Sequence, residues 1–270
     1  NMTNGRLNLP VLWRPRTLSM LFALLAFIAA GWKVWIRLPA ADFAVAAKPA
    51  SAAAPALSGP STGGSLKFDA QFVSSSPGQA VHAASLVELK NGDLRAVWFS
   101  GSREGAGDVT IQTAVMDSAN QRWSPESTVF SRQQIQAGLW RYVKKLGNPV
   151  IARAPDGSLS LWMVNVSLGG WAGSAITWSR STDEGLNWSK PRRMVTSPFL
   201  NVSTLLKAAP VPMSDGQLSL PVYHEFVTKF AEVLRVSPQG EVLDKTRIPA
   251  SHTSLQPVLL ATDTGHATAY

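Results

Sequence analysis

Cysteine is absent from the 270 residues. Its absence excludes disulfides, thiolate metal sites and cysteine nucleophiles, and it leaves an extracytoplasmic location open. The four histidines, His82, His224, His252 and His266, stand singly, so there is no His-x-x-x-His spacing and no metal is expected. No glycine-rich loop follows a strand and opens a helix, so nucleotide binding has no support and no cofactor is expected. Charged residues make up only 16% and hydrophobic ones 45%, which suits one large globular domain, or a domain with a leader, and not a disordered chain. The formal charge of +8 suggests nucleic acid only until it is divided. Residues 1–64 carry six basic side chains (Arg6, Arg14, Arg16, Lys33, Arg37 and Lys48) against Asp42, which leaves 19 basic and 16 acidic residues in 65–270. Most of the excess belongs to the N-terminal stretch, and no nucleic-acid partner is expected.

That stretch is a leader in form. Arg6, Arg14 and Arg16 precede an apolar run from Leu18 to Ala30, and Gly31-Trp32-Lys33-Val34-Trp35-Ile36-Arg37 follows. Lys33 lies near enough to the end of the run to snorkel, and Trp32 and Trp35 suit a membrane interface. Residues 1–38 are therefore expected to be an N-terminal signal anchor or signal peptide. The anchor would stay uncleaved, with cleavage near Ala44-Val45-Ala46 and a buried amphipathic helix as the alternatives. The membrane is then a partner through this helix, and the rest is membrane-anchored or secreted, on the periplasmic or extracellular side. Residues 39–64, rich in Ala, Pro, Ser and Gly, read as a flexible linker. Folded sequence is expected from 65 to 270, opening with an alternating strand at Leu66–Phe72.

The rest of the chain repeats. Short apolar strands lead into glycine turns and second alternating strands four times: His82–Leu94, Leu146–Leu159, Lys207–Leu218 and Ser254–His266. The turn glycines Gly92, Gly157, Gly216 and Gly265 are 65, 59 and 49 residues apart. Further strands lie between the hairpins, at Val109–Met116, at Ala175–Arg180 and at Glu232–Val236, and no stretch shows a convincing helical period. Four strands per repeat of this length mark the blades of a β-propeller. Within the second repeat stands Ser181-Thr182-Asp183-Glu184-Gly185-Leu186-Asn187-Trp188. Here the Asp can accept backbone N–H bonds, the Gly can take positive φ and the Trp can fold back as an apolar plug.

This last stretch resembles the Asp box, S-x-D-x-G-x-x-W, of sialidase-type repeats, and Trp123-Ser124-Pro125 echoes its end. With His82–Leu89, Trp98–Val109 and Leu220-Pro221-Val222-Tyr223-His224-Glu225, it makes residues 66–270 similar to the sialidase-like superfamily, within it to the bacterial predicted neuraminidases. The resemblance implies an all-β, six-bladed β-propeller, preceded here by an N-terminal signal or transmembrane helix. About three blades and the opening of a fourth are present, so the chain is expected to be truncated.

Strands in a blade alternate in direction, so residues before a first strand share one end with the loop after the second strand. The Asp box falls at the other end and is expected to be structural. The first end collects His82, Lys207 and His252, then Arg103, Glu104 and Asp108, then Asn165 and Trp171, and finally Tyr223, His224 and Glu225. Acids, bases and aromatics around a central pit suit a carbohydrate site. By resemblance Arg103 binds the substrate and Asp108 is the proton donor, a role that needs a raised pKa. The family's first carboxylate-binding arginine falls at Ala83, which departs from the pattern. The implied function is an exported exo-glycosidase of neuraminidase type acting on terminal anionic sugars of an oligosaccharide or glycoconjugate. Its catalytic residues would be drawn from Asp108, Arg103, His82, Tyr223, His224 and Glu225. Two alternatives stay open: a uronate polysaccharide lyase using His82 or His224 with Tyr223, and a non-catalytic propeller that binds glycans or proteins.

Overall fold

The computed structural model describes residues 15–36, 70–75, 79–197, 201–262 and 265–270. The chain divides into two units, Asn1–Ala41 and Asp42–Tyr270. The expected linker at 39–64 lies outside the described residues, as do residues 66–69 of the expected opening strand. Ala70–Phe72, the end of that strand, is irregular backbone instead.

In the first unit, α1 (Pro15–Ile36) forms over the apolar run. Leu18, Leu21, Leu24, Leu25 and Ile28 on it are exposed. Among the described residues no helix is long and apolar enough to cross a membrane, so the expected anchor is not supported. The uninterrupted run from Leu18 to Ala30 rises only about 20 Å, against ~30 Å for a bilayer core.

The second unit is built from antiparallel sheets. β1 (Ala80–Glu88), β2 (Leu94–Gly101), β3 (Thr110–Asp117) and β4 (Arg122–Trp123) follow one another across the first sheet, and β5 (Ser127–Ser131) also pairs with β3. The second sheet holds β6 (Lys145–Arg153), β7 (Leu159–Val166), β8 (Ser174–Ser181) and β9 (Arg192–Arg193), in that order. The third holds β10 (Val211–Pro212), β11 (Leu218–His224), β12 (Phe230–Val236) and β13 (Val242–Arg247). β14 (Leu259–Ala261) pairs with β15 (Ala267–Ala269) as a fourth. Each expected hairpin is present. The same turn chemistry makes three of them: Asn91, Asp156 and Asp215 each accept the backbone N–H two residues on, at 3.2, 3.0 and 3.0 Å. The glycine between takes φ of +87°, +81° and +79°.

Alternation along β7 decides how the sheets stack. Leu159, Leu161 and Met163 pack with Val97, Phe99 and Ile111 of the first sheet, whereas Trp162 and Val164 pack with Leu218, Leu220 and Val222 of the third. Every residue of β7 is therefore buried, because both faces of its sheet are covered. Truncating a core side chain such as Leu161 would cost about 2–5 kcal/mol.

One element departs from expectation. α2 (Arg132–Leu139) follows β5, opened by a capping box in which the Ser131 hydroxyl accepts from Gln134 N and the Gln134 side chain accepts from Ser131 N. Ile135, fully buried, and Leu139 four residues on, half-buried, face the core, and one i, i+4 pair is too short to read as an apolar period.

Candidate functional site

Strand direction puts the β2–β3, β7–β8 and β11–β12 loops at one end of the sheets and the Asp box at the other. At that far end Asp183 accepts from the Ser181 hydroxyl, Asn187 N and Asn187 Nδ2 at 2.8, 2.9 and 2.7 Å. Trp188 Nε1 donates to Gly185 O at 3.1 Å. The Asn187 donors, then the Ser181 hydroxyl, bring the Asp183 carboxyl down to about 2. Its capacity is spent inside the turn.

At the near end the β2–β3 loop, residues 102–109, is closed by Asp108. Its carboxylate accepts Ser102 N and the Ser102 hydroxyl, both at 3.0 Å. The Ser102 N–H, then the Ser102 hydroxyl and the charge of Arg103, hold the carboxyl below the usual carboxylate range. The raised pKa expected of a proton donor is thus reversed in the free protein, because the carboxyl is exposed and faces donors instead of apolar walls. Arg103 and Glu104 are exposed on the same loop.

Tyr223 is the meeting point of the near end. It lies on β11, 3% exposed, in a backbone bridge with Leu205. Burial pushes its phenol up to about 12, and the carboxylates of Glu225 and Glu104 add to this, while hydrogen bonds with Gln256 and Asn148 oppose it. The partners come from all four sheets: Glu104 from the first, Asn148 from the second, Glu225 from the third and Gln256 from the segment entering the fourth. Asn148 and Gln256 each precede a proline and hold φ of +41° and +53°. Asn148 sits where β6 slips register against β7, and its Nδ2 donates to Leu206 O at 3.1 Å. Ala83, at φ +56°, occupies the matching irregularity of β1. No functional group projects from the position where the family carries its arginine.

A second group lies beside this one. His82 is exposed and stacks on Phe99 with ring centroids 5.8 Å apart. Gly147 lies against both Phe99 and Trp171, and a Cβ there would stand 3.2 Å from the Trp171 ring. Lys145 Nζ stands 5.3 Å from the centre of the Trp171 ring.

His224 does not join Tyr223, and this corrects the expected pairing. Successive residues of β11 point to opposite faces. The His224 ring stacks on Phe230 at 4.4 Å, and its Nε2 lies 2.7 Å from the Glu232 carboxylate. Asn165 is also removed from the site: it is buried and donates to Ala175 O at 3.1 Å. Lys207 is half-buried and His252 exposed. Lys145, Asn148 and Gln256 were missed by sequence reasoning, although the echo between Asn148-Pro149-Val150 and Gln256-Pro257-Val258 is legible in the chain.

Residues 92–270 match the family described as BNR repeat-like domain. The chain belongs to this family. Solved structures agree with its place in the sialidase-like superfamily. A Hadza microbial sialidase is similar at 16% identity and a TM-score of 0.54, over 67% of this chain and 39% of its own. A family 117 glycoside hydrolase produced by the marine bacterium Zobellia galactanivorans is similar at 12% identity and a TM-score of 0.54, over 71% of this BNR chain and 62% of its own. The leech intramolecular trans-sialidase, complexed with 2,7-anhydro-Neu5Ac, is similar at 11% identity and a TM-score of 0.55, over 71% and 47%. The BNR chain spans less than two thirds of each of these structures. No curated protein matches.

Proposed function

We propose that this BNR-family protein is an exported, sialidase-like glycosidase that releases a terminal anionic sugar from a glycan. In this reading the five-stranded sheet, the two four-stranded sheets and the β14–β15 hairpin are blades of a six-bladed propeller, and the near end is its sugar site. The observation that carries the reading is the convergence on Tyr223 of polar side chains from all four sheets. Arg103 binds the anionic group. Tyr223, a neutral phenol beside Glu225 and Glu104, has carboxylates at hand to take its proton if it attacks the anomeric carbon. Asp108 gives a proton to the departing oxygen, which requires bound sugar to take it out of water and off Ser102. Export is supported by Arg6, Arg14 and Arg16 ahead of the apolar run from Leu18 to Ala30.

The test is release of free terminal sugar from sialosides and uronate-capped oligosaccharides by the full-length protein. Asp108→Asn and Tyr223→Phe should each lower turnover by about 10²–10⁴-fold while the fold is kept. Unchanged turnover in both variants would sink the assignment. An unsaturated product absorbing in the ultraviolet would move the chemistry to a lyase. Binding without turnover, surviving loss of Arg103 and Asp108, would make the protein a glycan-binding module.

A further inference from the structure

Lys145 opens β6 opposite Val166, at the point where the β7–β8 loop leaves the second sheet. The residue is half-buried, and two neighbours lie close to the end of its side chain. Trp171, from the β7–β8 loop, offers its ring at 5.3 Å from Nζ. The second is Gly105, in the loop that also carries Arg103 and Asp108. A Cβ at Gly105 would stand 3.2–3.5 Å from Cδ, Cε and Nζ of Lys145, so the absence of a side chain there makes room for the lysine. The positive φ of Gly105, +70°, keeps that room open against most substitutions. Among the described residues no carboxylate lies within ion-pair distance of Lys145. This contrasts with the far end, where Arg153, Arg180 and Arg235 are each paired with an acid.

The ammonium of a half-buried lysine, with an aromatic neighbour and no carboxylate of the described residues in ion-pair distance, favours an anionic ligand, because charge-assisted hydrogen bonds are the stronger ones. The neighbouring first strand supplies no competing cation, since its irregularity carries Ala83. We propose that Lys145 is the residue that selects a carboxylate-bearing terminal sugar, with Trp171 positioning its ammonium. This rests on the glycan-site reading above and narrows it to an acidic sugar recognised by a lysine and Arg103 across Gly105.

The experiment titrates the full-length protein with 3′-sialyllactose and with a glucuronate-ended disaccharide, each against its neutral counterpart, followed by calorimetry. The wild type should prefer an acidic probe, with affinity that falls as salt rises. Lys145→Met keeps the apolar stem over Trp171 and removes the charge. It should weaken the acidic probe about tenfold, the value of one modest charged hydrogen bond, and leave the neutral probe and the melting temperature unchanged. Lys145→Arg should retain the preference, and Lys145→Glu should abolish it. If the wild type prefers the acidic sugar and Lys145→Met prefers it equally, the lysine assignment is overturned while the glycan reading stands. If a folded wild type binds none of the probes, both fall together.

Discussion

Glu184 ties two sheets together at the far end, and its replacement has a worked consequence. Its carboxylate accepts Arg153 Nη1 at 2.9 Å and Nη2 at 2.6 Å, and Lys90 N at 3.0 Å, with Lys90 Nζ 3.5 Å away. Its carbonyl accepts Arg95 Nε at 2.9 Å, and Arg153 also reaches Glu88 O at 2.9 Å. The Asp-box turn of the second sheet is thus fastened to the β1–β2 turn of the first. The Arg153 hydrogen bonds, followed by Lys90 N and the two positive charges, bring the Glu184 carboxyl from 4.5 to about 2. Because the folded pKa is depressed, the stabilisation is complete above the unfolded value of 4.5 and is lost as pH falls through about 2. Taken whole, the shift corresponds to about 3 kcal/mol. The side chain is 26% exposed, and solvent screening reduces this to about 1–2 kcal/mol. Glu184→Gln keeps the shape and an acceptor for Lys90 N. At neutral pH it should lower stability by about 1–2 kcal/mol, or roughly 3–6 °C in melting temperature for a unit of this size. The assay is urea unfolding of both proteins over a pH series, with a double-mutant cycle through Arg153→Met. More than half of the neutral-pH difference should vanish by about pH 3. A difference that stays constant across the series, or a variant as stable as the wild type at neutral pH, would refute the reasoning.

Two further outcomes are expected. Gly185 holds φ +87°, and a Cβ there would lie 2.7 Å from Arg95 Nε, so Gly185→Ala should destabilise by about 1–3 kcal/mol in thermal unfolding without touching the near end. His224→Ala removes the partner of Glu232, whose carboxyl burial pushes up but the His224 hydrogen bond and Lys245 pull down to a net lowered pKa. It should cost about 1–3 kcal/mol in urea unfolding and leave sugar release intact, and loss of turnover from a folded variant would instead favour histidine chemistry.

What could be read from the chain was local. The hairpin turns follow from Asn91-Gly92-Asp93, Asp156-Gly157-Ser158 and Asp215-Gly216-Gln217, where an acid or amide bonds its own backbone and glycine takes positive φ. The Asp box is local in the same sense, closed by bonds among Ser181, Asp183, Gly185, Asn187 and Trp188. Strand alternation and repetition of these turns therefore determined the all-β architecture. The helix α2 escaped notice because only Ile135 and Leu139, a single i, i+4 pair, face the core, although its Ser131/Gln134 capping box was in plain view.

The site is another matter. Glu104, Asn148, Tyr223, Glu225 and Gln256 share no sequence pattern, and sheet stacking alone brings them to one phenol. Irregularities of β1 and β6 decide which way Ala83 and Asn148 point, since one extra residue in a strand reverses every facing beyond it. The same pleat sends His224 to Glu232 and away from its neighbour Tyr223. Charge was equally beyond the sequence. Asp108 has the right place in the chain for an acid, yet the Ser102 donors favour its ionised form, while Lys145, with no motif of its own, stands beside Trp171 with no carboxylate of the described residues in ion-pair distance. Turns are set by a few adjacent residues, but a pKa or a binding cation depends on what other strands place within a few ångströms, and that only the tertiary structure decided.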